Sequence, residues 1–411
     1  MKRTVLLAAA ALVASAAVVM TAGAAPQATP GVTARTILLE GTFPLSGPAS
    51  LYAPIPAGMG AYFSYANAHR LLSRQIIWKY SDDGYNPANT VQVTHQEVEQ
   101  DHAFALVGGL GTEPQTAVRS YLNQQKVPQL FVSTGATTFD RDFAQYPWTL
   151  GWQPDYEAEG AIYGKYIVKN IPGAKIGVLY QNDDYGNDYL RGFKAGLGQA
   201  HAPDIVDAEP FEVTAPNPAA QLVKLKASGA TTLVIFVTPT PTIQAYVIAT
   251  KIGWHPDHVI TNSVSATATF LGIAVKSGSD ITNGTLSVGY LLDPSNPIYN
   301  SAPGMKLYRK IMAKYDPKGN ANDGLNLYGV AKAWTTVQLL QSLGKNPTRA
   351  GLMKAARSMR YKGLAANPFA LPGVVIHTFT GFQYPITQVK LARFNNGVFS
   401  PVGALINGRG A

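Results

Sequence analysis

The chain predicts an α/β protein built on two parallel sheets, and three observations carry that reading. From Thr36 onward, apolar β-branched runs alternate with helical segments, the pattern of parallel βαβ units. The alternation comes in two series, divided near Trp148-Thr149-Leu150-Gly151-Trp152. At 411 residues the chain exceeds the usual size of a single core, so two lobes are expected rather than one large sheet.

The first series opens with a strand over 36–41, the loop Pro44-Leu45-Ser46-Gly47-Pro48, and a helix running through Gly58 to His69. A strand over 75–80 leads to Asp82-Asp83-Gly84-Tyr85-Asn86-Pro87 and a helix reaching about Asp101. Strands over 104–107 and 129–133 end in matching turns, Val107-Gly108-Gly109-Leu110-Gly111-Thr112 and Val132-Ser133-Thr134-Gly135-Ala136-Thr137, each expected to open into a helix. The second series places a helix over 155–170, a strand over 175–180, the loop Asn182-Asp183-Asp184-Tyr185-Gly186 and a further helix. A strand over 232–237, a turn Thr238-Pro239-Thr240-Pro241-Thr242 and a strand over 258–261 continue it. Long helical stretches at 305–315 and 323–343 follow. In the tail, strands over 388–394 and 398–402 flank Asn395-Asn396-Gly397, a hairpin with a type I′ turn.

The two Gly/Thr turns are the main chemical signal. At such corners backbone N–H groups and hydroxyls converge on a helix N-terminus, whose partial positive charge favours a carboxylate or similar anion. The same residues also read as plain capped turns, because Thr112-x-x-Gln115 has the form of a capping box.

The ends and the composition narrow the class. Lys2-Arg3, an apolar run over 5–20 and Ala22-Gly23-Ala24 read as a signal peptide over 1–24, cleaved near Ala24, which directs the protein outside the cytoplasm. The run falls short of the roughly 20 residues of a membrane span, an uncleaved anchor being the alternative. The chain has no cysteine, which excludes disulfides, thiolate metal sites, a cysteine nucleophile and a lipid-modified cysteine anchor. Two of the positive charges behind the net charge of +9 belong to Lys2 and Arg3, and the rest are scattered. Without stripes of Arg, Lys and aromatics, no nucleic-acid partner is expected. Neither a G-x-S-x-G elbow, an H-E-x-x-H helix nor a P-loop is present, so no enzyme activity, metal or cofactor is expected. His95, Glu99 and His102 share one helical face at i, i+4 and i+7 and read as an ordinary solvated face.

In order and spacing, Pro44-Leu45-Ser46-Gly47-Pro48 with Tyr52, Asp82-Asp83 with Pro87, Val107-Gly108-Gly109, Ser133-Thr134-Gly135-Ala136-Thr137, Asp184-Tyr185-Gly186 and Ile252-Gly253-Trp254 resemble one family. It is the solute-binding proteins of branched-chain amino-acid ABC transporters, with the type I periplasmic binding fold. The resemblance runs from about Thr36 to the end. It implies two doubly wound parallel-sheet lobes joined by crossing hinge strands, one lobe over 34–152 plus 289–372 and the other over 153–288 plus 373–411, closing on a ligand. Carried over, Thr112 binds the ligand carboxylate through its hydroxyl, Gly135 makes a backbone contact with Ala136 beside it, and Thr137 adds a second hydroxyl and an N–H. Tyr52 and Tyr185 approach the ligand from the two lobes, Tyr185 being equally readable as a rim residue on its own helix. The implied partners are a small carboxylate ligand and the permease and ATPase subunits of an importer, with the binding protein a monomer. Two other outputs stay open: presentation of the ligand to a membrane sensor, and a secreted hydrolase.

The departures bear on the ligand. The glutamate that pairs with an amino-acid ammonium in this family corresponds here to Thr261-Asn262-Ser263-Val264-Ser265, which contains no carboxylate, and an expected aromatic is replaced by 238–242. A buried unpaired ammonium costs several kcal/mol. An aliphatic or aromatic carboxylate without an α-ammonium is therefore expected over leucine, unless Asp183, Asp184 or Glu113 substitutes.

Overall fold

The computed structural model describes residues 29–359, 366–379, 381 and 383–408, so the expected signal peptide lies outside the described residues. The first sheet holds β1 (Thr36–Glu40), β3 (Gln75–Trp78), β5 (Ala105–Val107), β6 (Gln129–Val132) and β7 (Thr149–Gly151) in the order β3-β1-β5-β6-β7, with β2 (Thr42–Phe43) and β4 (Ser81–Asp82) paired beside it. All its pairings are parallel. The second sheet has the order β14-β13-β12-β11-β10-β8-β9. Its strands are β8 (Ile176–Gln181), β9 (Ile205–Phe211), β10 (Thr232–Phe236), β11 (His258–Thr261), β12 (Leu286–Gly289), β13 (Gln388–Asn395) and β14 (Val398–Asn407). The central strands β6 and β10 are buried along their whole length, as strands covered on both faces must be.

Helices α1 (Pro54–Ala68), α2 (Pro87–His95), α3 (Thr112–Gln124) and α4 (Thr138–Arg141) belong to the first series. Helices α5 (Tyr156–Asn170), α6 (Asp184–Leu197), α7 (Ala219–Ala227), α8 (Pro239–Lys251) and α9 (Ala268–Lys276) belong to the second. Then α10 (Pro303–Tyr315) and α11 (Gly324–Ser342) return to pack on α1, and α12 (Arg349–Ala356) packs on α11. The chain therefore passes between the sheets after β7, after β12 and again before β13. Two of these passages pair with each other, Leu292 N–H donating to Phe369 O and Leu371 N–H to Tyr290 O, both at 2.9 Å.

Three elements differ from expectation. The segment 238–242 is helical: Thr238 is extended and Pro239, with its fixed φ, opens α8. Edge strand β9 has a half-exposed IVDAEPF sequence whose acids and proline conceal its strand character. The helix expected to reach Asp101 ends as a π turn over Gln96–Gln100, and His102 leaves it at a φ of 57°. Glu99 pairs with His95 (2.8 Å) and accepts from the Tyr121 hydroxyl, and among the described residues no three acids or histidines are placed to hold a metal. The C-terminal hairpin forms as expected, with Asn396 and Gly397 both at positive φ between paired Asn395 and Val398.

A seam of small residues brings two aromatic helices together. A Cβ at Gly160 of α5 would lie 2.4 Å from Tyr189 O, and one at Gly192 of α6 would lie 2.0 Å from Glu157 O. The close approach stacks Tyr156 on Tyr189, ring centroids 4.4 Å apart, and turns Tyr185 edge-on to both.

Candidate ligand-binding cleft

Between the sheets lies a cavity of about 170 Å³. Tyr52, Tyr85, Thr112, Ser133 and Tyr328 line it from the first-sheet side, and Tyr185, Thr238 and Ser263 from the second. The crossing segments contribute Gln153, Tyr156 and Tyr290.

The first Gly/Thr corner borders the cavity where α3 begins. Gly111, at a φ of 109°, precedes α3, and a Cβ there would meet the Tyr85 ring at 2.8 Å. Thr112 is the first residue of α3, not its cap, so the capping box does not form. Gln115 instead donates from Nε2 to Thr42 Oγ1 (2.7 Å). Thr112 Oγ1 is thereby left for Thr134 Oγ1, 2.7 Å away, and for the cavity.

The second corner differs, and Gly135, Ala136 and Thr137, expected at the ligand, are engaged within the protein. Helix α4 is barely one turn long and has little dipole to offer. Thr137 donates both its N–H (2.7 Å) and its Oγ1 (3.0 Å) to Asp188 Oδ2 of α6. The protein's own carboxylate, 51 residues further along the chain, thus holds the donors expected for the ligand. Burial pushes the Asp188 carboxyl up, while the Thr137 donors and nearby Arg191 pull it back. Gly135 serves packing: its carbonyl accepts from Tyr156 N–H (2.8 Å), and a Cβ would fall 2.2 Å from Pro154 O. Ala136 is buried and donates its N–H to Thr134 Oγ1 (3.1 Å). None of the three lines the cavity.

Tyr52 and Tyr185 both line it. The Tyr52 hydroxyl donates across the cleft to Val264 O (3.2 Å), and its ring meets Phe270 edge-on. Tyr185 is buried, and its hydroxyl has no hydrogen-bond partner among the described residues. Gln153 clamps two further phenols, donating to Tyr156 (3.0 Å) and accepting from Tyr328 (2.9 Å). Burial pushes the phenols of Tyr52, Tyr156, Tyr185, Tyr290 and Tyr328 up, so they remain neutral hydrogen-bonding groups at physiological pH.

The acid absent from 261–265 arrives from α5. Glu159 accepts from Ser263 N–H and Tyr163 hydroxyl, both at 2.7 Å, and from Ser263 Oγ at 2.6 Å. It is buried behind Ser263 and does not line the cavity. Of the other acids considered, Asp183, Asp184 and Glu113, none lines the cavity, and two are engaged elsewhere. Asp183 caps α6 by accepting from Gly186 N–H, and Glu113 accepts from Asp184 N–H across the lobes. Asp293 is the one acid in the lining among the described residues, and it accepts from Ser295 N–H and Oγ. Tyr85, Gln153, Tyr156 and Tyr328 were not expected from sequence. One readable signal was Tyr328, a turn before Lys332, the single charge between Asp323 and Lys345.

A parallel sheet and a mostly parallel sheet with an antiparallel edge hairpin, joined by paired crossing segments and with a cavity lined from both sides, define a two-lobed binding protein of the type I periplasmic fold. The chain belongs to the periplasmic binding protein family, whose model matches residues 42–393. Among curated proteins no relative matches. A structure described as a possible leucine/isoleucine/valine-binding protein from Rhodopirellula baltica is similar at 21% identity and TM-score 0.76, over 92% of this chain and 98% of that one. A branched-chain amino-acid ABC transporter structure from Thermus thermophilus with bound valine is similar at 17% identity and TM-score 0.76, over 91% and 96%. A fatty acid ABC transporter substrate-binding protein from Thermomonospora curvata is similar at 20% identity and TM-score 0.73, over 92% and 94%. At these identities the likeness is one of fold.

Proposed function

We propose that this protein is the extracytoplasmic solute-binding protein of an ABC importer. It captures a small carboxylate-bearing solute, an amino acid or related organic acid, between two lobes and delivers it to a membrane permease. In this reading the lobes comprise 34–152 with 289–372 and 153–288 with 373–411, and the protein acts as a monomer. The observation that carries the proposal is the corner at Thr112, where a hydroxyl paired only with Thr134 and a helix N-terminus border a cavity otherwise walled largely by tyrosines. The fold neighbours support it in kind: one holds valine and another is named for fatty acids, and both ligands carry a carboxylate. Among the described residues no helix is long and apolar enough to cross a membrane, as a capture protein working apart from its permease requires.

The test is Thr112→Val. A hydrogen bond to a charged group contributes about 1.5–3 kcal/mol, so carboxylate binding should weaken about tenfold or more in calorimetry. The melting temperature of the free protein should stay nearly unchanged. Unaltered affinity would remove Thr112, and with it the anion corner, from the site.

A further inference from the structure

Helix α11 carries an ammonium where an apolar side chain would pack. Lys332 is fully buried in the middle of α11, and a Cβ at Gly108 would touch both its Cδ and Met59 of α1. Its Nζ donates to Ser133 Oγ, which passes a hydrogen bond on to Gly108 O (2.6 Å). The Tyr328 ring lies 4.4 Å from the same nitrogen. Ser133 and Tyr328 both line the cavity, so Lys332 stands one side chain behind its wall. Among the described residues no carboxylate is within ion-pair distance of it. Desolvation accordingly pushes its ammonium well below the ordinary lysine range.

Charging a buried amine that has no counter-ion is among the most expensive events in a protein, and an apolar residue of the same length would avoid it. An anion seated at Thr112, with Ser133 between it and Lys332, supplies the missing counter-charge and holds the proton on the amine. A cationic head group beside that anion finds no acid placed for it: Asp293 is held at Oδ1 by Ser295, Glu159 lies behind Ser263, and neither is bonded to Thr112 or Ser133. Resting on the reading that this cavity is the solute site, we propose that Lys332 selects the ligand. Acting by its charge from behind Ser133, it makes the cleft specific for an organic monocarboxylate with an apolar body and no ammonium group.

The experiment is calorimetric titration of the wild-type protein, Lys332→Met and Lys332→Gln with two sets of probes that differ only in head group. One set is 4-methylpentanoate, 4-methylpentanamide and leucine; the other is phenylacetate, phenylacetamide and phenylalanine. Wild-type protein is expected to prefer the plain carboxylate of at least one set over its amide and its amino acid by about tenfold to a hundredfold. Lys332→Met should lose that preference while its melting temperature rises. Lys332→Gln, which keeps a hydrogen bond to Ser133 without the charge, should lose it as well. If the amino acids bind as tightly as the plain carboxylates, or if both variants keep the full preference, the role of Lys332 is overturned while carboxylate capture in the cleft stands. If no carboxylate of either set binds the wild-type protein, the carboxylate reading falls and the inference falls with it.

Discussion

Asp188→Ala is expected to weaken binding of any cleft ligand about a hundredfold, although Asp188 does not line the cavity. Its Oδ2 accepts both the N–H and the hydroxyl of Thr137, joining α6 of the second lobe to the β6 corner of the first. Hydrogen bonds to a charged group contribute about 1.5–3 kcal/mol each, so losing the pair costs about 3 kcal/mol of the closed arrangement. In an opened protein Thr137 would bond to water instead, so the loss falls on the closed state. A ligand that binds the closed state then bears the whole shift in its apparent affinity. Asp188→Asn, which keeps one acceptor oxygen, should fall between wild type and alanine. Titration calorimetry on the three proteins decides the matter, and equal affinities would show that the contact does not bias closure.

Gly135→Ala is expected to destabilise the protein by about 3 kcal/mol, the upper end of the usual cost of overpacking. The added Cβ would lie 2.2 Å from Pro154 O and 2.6 Å from the Tyr156 ring. The first of these is a backbone atom of a crossing segment, which cannot rotate away. Tyr156 N–H also donates to the Gly135 carbonyl, so relief of the clash breaks a hydrogen bond and moves a cavity wall. At about 2.1 cal/mol/K of unfolding entropy per residue, a loss of that magnitude in a chain this long lowers the melting temperature by roughly 4 °C. A thermal melt within about 2 °C of wild type would mean that the corner has slack the structure does not show.

The βα alternation, both Gly/Thr corners and the type I′ hairpin were legible because they depend on local patterns: apolar β-branched runs, glycine at positive φ, hydroxyls at helix starts. Thr112 at the start of α3 was legible for the same reason, but the capping box its spacing suggests does not form, since Gln115 finds Thr42 73 residues away. The partner of Thr137 was not legible, because Asp188 is supplied by α6, 51 residues further along the chain. Glu159 was hidden likewise: the stretch 261–265 contains no acid, and only the packing of α5 brings one to Ser263. The tyrosine wall is assembled from six separate segments, and no periodicity in the sequence links them. Lys332 left a trace that could have been read, a lone charge in an otherwise uncharged helix.

The central claim is capture of a small carboxylate between two lobes that close on it. Small-angle scattering of the protein, alone and then saturated with a carboxylate that calorimetry shows to bind, tests it most directly. A ligand that prefers the closed state must shift the population toward it, so the account predicts a smaller radius of gyration in the bound protein. Equal radii with the site filled would mean a fixed cleft and would contradict it.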